Sequence, residues 1–177
     1  MHSARNRGFT PNKASGQTGF TLIEILVVFT VTSILASVGF ASFASYSRTQ
    51  QVSQSANDMK LLINQARFNA ISTVKTNRDS QGNTISCGNE TLLGYSVRTV
   101  GGNQLRLSQE CANMGSQTVR TVTAPTNISY TTGTNCATIR FSSFSANTTG
   151  GSCTLKLRGY GITKTITVDA LGNASVQ

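Results

Sequence analysis

The stretch QTGFTLIEILVVFTVTSILASVGF, from Gln17 to Phe40, is the most informative part of this sequence. From Phe20 to Phe43 the only charged residue is Glu24, and a helix of this length reaches about 36 Å. Because a bilayer has a hydrocarbon core ~30 Å thick, the segment is long and apolar enough to span it. An acid at the centre of such a helix costs roughly 2.5 to 3.5 kcal/mol, so Glu24 needs a compensating partner.

The charges around this segment predict its orientation. The 177 residues carry a formal charge of +9, from 15 Lys and Arg against 6 Asp and Glu. Arg5, Arg7 and Lys13 precede the apolar segment, which places the N-terminus in the cytoplasm and exports the remainder. From Arg48 onward 12 basic residues face 5 acidic ones. This excess indicates either a solvated surface or an anionic partner.

The residues Gly19-Phe20, followed by Thr21-Leu22-Ile23-Glu24, resemble the prepilin signal of type IV pilins and type II secretion pseudopilins. In that family a membrane peptidase cuts after the glycine, the new N-terminal phenylalanine is methylated, and glutamate is the fifth mature residue. The resemblance implies a cleaved leader over residues 1–19, N-methylation of Phe20, and prepilin peptidase as a partner.

The same resemblance implies a role for Glu24 in assembly. In a staggered bundle of such helices, the positive Phe20 amine of one subunit lies beside the Glu24 carboxylate of the next, which sets the register. The alternative is an isolated membrane anchor whose Glu24 lies at the membrane interface. The implied location is the bacterial inner membrane, with the head in the periplasm, followed by incorporation into a pilus.

Beyond the apolar segment the sequence becomes amphipathic and predicts that the helix continues from about Phe20 to about Val74. We assign residues 20–47 to a transmembrane and assembly helix, and residues 48–177 to a periplasmic head. The apolar residues that recur on one face of the second half are Val52, Ala56, Met59, Ile63, Ala66, Ala70 and Val74.

From Thr84 onward, β-branched and aromatic residues between Gly and Asn predict strands and turns. The predicted fold class is therefore α+β and type IV pilin-like, with a long N-terminal helix packed on an antiparallel sheet. A short last strand is expected after the turn Leu171-Gly172-Asn173. The other predicted strands are Tyr95–Val100, Gln104–Ser108, Thr118–Thr123, Ile128–Thr131, Thr138–Phe144, Thr154–Arg158 and Thr163–Val168.

Two further segments resemble the GspH/FimT family of minor pilins and pseudopilins: LLINQARFNAI, from Leu61 to Ile71, and TKTITVDALGNASVQ, from Thr163 to Gln177. The resemblance implies a FimU-like minor pilin that takes part in priming pilus assembly and lies in or near the pilus tip. Its partners would be other major and minor pilins and the inner-membrane assembly machinery. A pseudopilin of a type II secretion system would share these features and remains the alternative.

The head contains an even number of cysteines, namely Cys87, Cys111, Cys136 and Cys153. An oxidising periplasm would pair them in disulfides. The sequence allows three pairings, and we favour Cys87 with Cys111 and Cys136 with Cys153, because each bond would then join neighbouring strands across a loop. A zinc site is the other interpretation, but the sequence has no C-x-x-C pair and no partner histidine.

The sequence predicts neither an enzyme nor a cofactor or metal site. The sole histidine, His2, lies in the leader, so cleavage would leave no Ser-His or Cys-His arrangement. Scattered acids form no paired motif, and Gly101-Gly102 is better explained as a turn than as part of a nucleotide-binding loop.

A DNA-binding minor pilin for natural transformation is the second alternative. In the FimT-like branch the closing hairpin carries a G-R-x-R motif whose arginines contact phosphate, whereas the corresponding residues here, from Gly172 to Ser175, include no arginine. A compensating basic patch, with Tyr160 as a stacking surface, would need side chains from several strands on one face. Its candidate residues are Arg140, Lys156, Arg158 and Lys164.

Overall fold

A computed structural model describes residues 19–133 and 136–177 of the chain. The chain divides into two compact units, with the boundary between Ser42 and Phe43. Within the described residues, one helix and eight strands follow in the order α1 Leu22–Ile71, β1 Leu92–Val100, β2 Gln104–Cys111, β3 Gly115–Thr123, β4 Ile128–Thr132, β5 Thr138–Ser142, β6 Cys153–Gly159, β7 Ile162–Val168 and β8 Ala174–Val176.

The first unit contains the apolar part of α1, whose described side chains are exposed. Several of its hydroxyl groups bond within the helix: Thr30 Oγ1 donates to the Val27 carbonyl at 2.8 Å and Ser37 Oγ to the Ile34 carbonyl at 2.7 Å. Such bonds hide the polar atoms of Ser and Thr from an apolar solvent. By length and composition, this helix is able to cross a membrane.

The end of α1 is a Schellman motif. The Val74 N–H donates to the Asn69 carbonyl and the Thr73 N–H to the Ala70 carbonyl, each at 3.3 Å. Thr73 has a φ of 51°, the left-handed conformation that this motif requires of the residue after the helix cap. The helix therefore ends at Ile71 and does not include Val74, so the predicted end is three residues too late.

The eight strands form two antiparallel sheets, in the orders β3-β2-β1-β5 and β4-β6-β7-β8. The hairpin predicted from Gly101-Gly102 joins β1 to β2, and both glycines have positive φ, at 62° and 80°. A tight turn of this kind matches the twist of the strands that it connects. The predicted α+β class is confirmed, with one long helix on antiparallel strands.

The core of the second unit lies between the later part of α1 and the inner faces of both sheets. The predicted apolar face of the helix is buried from Val52 to Ala70, whereas Val74, beyond the helix end, is half-exposed. The sheets contribute the buried residues Tyr95, Val97, Leu105, Leu107, Ile128, Tyr130, Ile139, Phe141, Leu155, Leu157, Ile166 and Val168.

Two disulfides brace the second unit, and their pairing is the one favoured from the sequence. Cys87, in the segment between α1 and β1, is bonded to Cys111 at the end of β2. Cys136 lies between β4 and β5 and is bonded to Cys153 at the start of β6, so this bond fixes the connection that leads from the second sheet to the first. In the chain-entropy estimate each bond stabilises the head by about 3 kcal/mol.

The segment between α1 and β1 is also held by a buried glutamine, which no local sequence signal marks. Gln109 on β2 accepts from the Thr76 N–H at 3.1 Å through Oε1, and its Nε2 donates to the Thr76 carbonyl at 3.0 Å. Its side chain is fully buried. Because Gln109 satisfies both backbone groups of Thr76, the long connection is fixed to the sheet without forming a strand.

Candidate functional site

The predicted cleavage site lies immediately before the helix. Gly19 and Phe20 are exposed and have no regular secondary structure, and α1 begins at Leu22. A peptide bond outside a helix offers its backbone groups to another molecule, because they are not committed to internal hydrogen bonds. The geometry at Gly19-Phe20 is therefore compatible with access by a peptidase.

Thr21 caps the start of α1. Its Oγ1 accepts a hydrogen bond from the Glu24 N–H at 3.3 Å, and its carbonyl accepts from the Ile25 N–H, also at 3.3 Å. Thr21 and Glu24 have the T-x-x-E spacing of a capping box, a local signal that the sequence already contains. Glu24 thus has a helix-starting role in its own subunit, because a negative charge in the first turn favours the helix dipole.

The Glu24 side chain is exposed among large apolar neighbours, including Leu22 and Ile23. The backbone bonds of the cap use the Glu24 N–H and leave its carboxylate outside the cap. In lipid or in a packed bundle of helices, a carboxylate in such surroundings needs a positive partner. The arrangement can therefore accept an amine from a second molecule.

The structure separates the four candidate basic residues. Arg140 lies on β5 in the first sheet, whereas the other three lie on β6 and β7 in the second. Lys164 is opposite the buried Leu157, so it belongs to the inner face of its sheet, while Lys156 and Arg158 alternate with Leu157 and share the outer face. Only Lys156 and Arg158 are brought together.

Tyr160, the candidate stacking residue, is engaged within the head. Its hydroxyl donates to Gln51 Oε1 at 3.0 Å, and the guanidinium of Arg48 lies 5.6 Å from its ring centroid. Its φ of 53° belongs to the tight turn between β6 and β7. These contacts join the turn to α1, and the Arg48 side chain covers part of the ring that a base would need.

The turn that corresponds to the G-R-x-R position is organised by an acid. Asp169 accepts from the Asn173 N–H at 2.7 Å and from Asn173 Nδ2 at 2.9 Å. These hydrogen bonds hold the pKa of Asp169 below its usual range, chiefly through the Asn173 side chain. At Gly172, which has a φ of 81°, a Cβ would clash with the Ala146 carbonyl oxygen, so this close turn requires glycine.

Within residues 19–133 and 136–177, no group of three or more His, Cys, Asp or Glu side chains is placed to hold a metal ion. The four cysteines are all used in the two disulfides. Tyr130 has an unusual environment instead, because burial raises its pKa to about 12 and the negative charge of Asp58 adds to the increase.

In a comparison with known families, residues 14–40 match the prokaryotic N-terminal methylation motif. Comparison with curated proteins and with solved structures finds no match in either. The methylation motif, at the start of an apolar helix that continues into an antiparallel head, supports a type IV pilin-like protein, either a pilin or a pseudopilin. It also indicates a single-pass, membrane-anchored chain that is a structural subunit.

Proposed function

We propose that this chain is a minor type IV pilin that takes part in priming pilus assembly and resides in or near the pilus tip. The methylation motif, placed directly before a continuous helix that passes into a disulfide-braced head, carries the proposal. The segments that resemble the GspH/FimT family favour a minor pilin over a major one. The function is packing between subunits rather than chemistry on a substrate.

The proposed assembly step follows from the residues at the helix start. Cleavage after Gly19 frees the amine of Phe20, and N-methylation leaves that amine positively charged at neutral pH. Glu24 of one subunit pairs with this amine on the next, so two charges that are costly alone enter the apolar bundle together. The exposed apolar side chains of α1 then pack against neighbouring helices, while the head supplies contacts with specific partners.

A deletion strain distinguishes the minor pilin from a type II secretion pseudopilin. For a priming pilin we expect surface pili to fall at least tenfold, while secretion of type II substrates stays at the wild-type level. A plasmid copy of the wild-type chain should restore the pili. Normal pilus numbers together with lost secretion would overturn the proposal in favour of the pseudopilin.

A further inference from the structure

Large apolar side chains are exposed around the C-terminal end of α1. Phe68 is 68% exposed and Ile71 is also exposed, both on the helix. Phe144 and Leu171 are exposed on segments next to this helix end: the Phe144 N–H donates to the Ala70 carbonyl at 3.1 Å, and Leu171 precedes Gly172, where a Cβ would lie 3.1 Å from the Arg67 side chain. We call Phe68, Ile71, Phe144 and Leu171 the helix-end patch. Grouped exposed apolar residues of this kind mark interaction surfaces.

Phe144 is also held in a left-handed conformation, with a φ of 64° and 85% of its side chain exposed. A bulky residue in this conformation costs roughly 1 to 2 kcal/mol. Thr73 and Tyr160 also have a positive φ. At Thr73 this conformation allows the hydrogen bonds that end the helix, and at Tyr160 it allows a tight turn whose side chain contacts α1. The Phe144 backbone also bonds the helix end through its N–H, but its ring stays exposed and gains no packing within the head. Strain of this kind is often found at binding sites.

A groove of about 480 Å³ lies against the patch. Arg67 is one of the residues that line this groove. Its Nε is buried and has no hydrogen-bond partner among the residues that the structure describes. Leaving such a donor unpaired costs roughly 1 to 3 kcal/mol. The groove is lined by Asn64, Arg67, Phe68, Ile71, Asn173 and Ala174.

Asp169 is the acid on which the charge of Arg67 acts, and its side-chain hydrogen bonds come from Asn173. The positive charge of Arg67 helps to lower the pKa of Asp169, but both Asp169 carboxylate oxygens accept hydrogen bonds from Asn173. Because Arg67 Nε has no hydrogen-bond partner in the described part of the chain, the guanidinium can still donate to an external anion. A carboxylate suits it best, because a guanidinium binds a carboxylate through two parallel hydrogen bonds.

We propose that the helix-end patch is the docking site for another pilin-like subunit, which places an Asp or Glu carboxylate on Arg67 and an apolar side chain against Phe68 and Ile71. Phe68 and Ile71, which line the same groove as Arg67, would exclude water and strengthen this ion pair. A nucleic acid or a small anion would satisfy Arg67 but leave Phe144 and Leu171 in water. The inference rests on the proposed function, since the partner is another subunit of the assembly.

The test is photo-crosslinking of the full chain in its own cells. Benzoylphenylalanine replaces Phe68 in one strain and Leu93 in a control strain, because Leu93 is an exposed apolar residue on β1 outside the patch. We expect the Phe68 probe to attach to a protein that carries a prepilin motif, at a peptide containing Asp or Glu. The yield should exceed that of the Leu93 probe at least fivefold.

Arg67→Glu should lower this yield at least fivefold by repelling the partner's acid, and Arg67→Lys should have a smaller effect because it keeps the charge. Ile71→Asp also places a negative charge on the patch, at an exposed position. It replaces Arg67→Glu in the test if a non-reducing gel shows that the Arg67→Glu protein lacks its disulfides. Equal yields at Phe68 and Leu93, attachment to a protein without a prepilin motif, or no effect of either acidic variant would overturn the inference.

Recovery of the chain in sheared filaments separates the two proposals. A chain that is present in filaments but forms no specific crosslink at Phe68 contradicts only the docking site. A chain that is absent from both filaments and assembly complexes contradicts the proposed function, and the docking inference with it.

Discussion

At the scale of single residues, Tyr130 has one of the buried polar atoms of the second unit that lack a hydrogen-bond partner among the described residues. Its side chain is buried and its hydroxyl has no hydrogen-bond partner in the part of the chain that the structure describes. Burial, with the charge of Asp58, raises its pKa to about 12. Above pH 10 the unfolded chain releases this proton and the folded chain does not, so stability falls as the pH rises from about 10 to 12.

Tyr130→Phe should therefore stabilise the protein. We expect a gain of about 1 kcal/mol in the free energy of unfolding near pH 7, because an unpaired buried hydroxyl is removed, and a smaller loss of stability between pH 10 and 12. Denaturant unfolding of the full chain in detergent, followed by circular dichroism, measures both effects. The exposed Tyr46, changed to Phe, is the control. A destabilised Tyr130→Phe protein would show that the hydroxyl has a stabilising partner.

The residue scale also shows what the sequence reveals about the site. Gly19, Phe20 and Glu24 could be named beforehand because a peptidase reads a short contiguous stretch. Arg140 and Lys164 could not be placed, because a one-residue change of strand phase moves a side chain to the opposite face. Gln109 and Arg67 were missed for a related reason, since their environments depend on long-range packing that has no local signal.

At the scale of elements, the end of α1 offers a direct test of backbone strain. Thr73 occupies the left-handed position of the Schellman motif, where glycine has no steric penalty. Thr73→Gly should raise the free energy of unfolding by roughly 1 kcal/mol, measured by denaturant unfolding. The matched control is Thr121→Gly in β3, which should destabilise because glycine weakens a strand. A loss of stability in Thr73→Gly would contradict the assigned role of this cap.

The disulfide between Cys136 and Cys153 gives a second test at this scale. Cys136 and Cys153 are separated by 17 residues, and removing both thiols by changing them to Ser should cost about 3 kcal/mol. The unfolding midpoint in denaturant measures this loss, and reduction of the wild-type protein, which breaks both disulfides, should cost more. A loss below about 1 kcal/mol would mean that the noncovalent core already fixes the connection between β4 and β5.

The elements themselves were predictable to a large extent. Apolar residues at helical spacing predict the helix face from Val52 to Ala70, and glycine-containing turns mark the hairpins. The division of the strands into two sheets was not predictable, because the pairing of β1 with β5 joins distant parts of the chain. The helix end was also missed, since Thr73 is not the glycine that usually signals such a cap.

At the scale of the whole molecule, the net charge of +9 is not by itself expected to make this protein a DNA receptor. The four candidate basic residues are divided between two sheets and two faces, and Tyr160 is engaged with Arg48 and Gln51. We therefore expect the full chain in detergent to bind labelled duplex DNA only at low salt and to release it at physiological salt. Micromolar binding at physiological salt, abolished by neutralising Lys156 and Arg158, would contradict this.

Mass spectrometry of the chain recovered from sheared filaments, comparing the wild type with Glu24→Ala, tests directly whether the protein is a processed pilin subunit. A prepilin that is cleaved, methylated and assembled through Glu24 should appear in the filament fraction with an N-methylated Phe20 as its first residue. The Glu24→Ala chain should be cleaved in the membrane but reduced at least tenfold in filaments. Wild-type protein that retains residues 1–19 and stays in the membrane, or Glu24→Ala protein that enters filaments normally, would contradict the account.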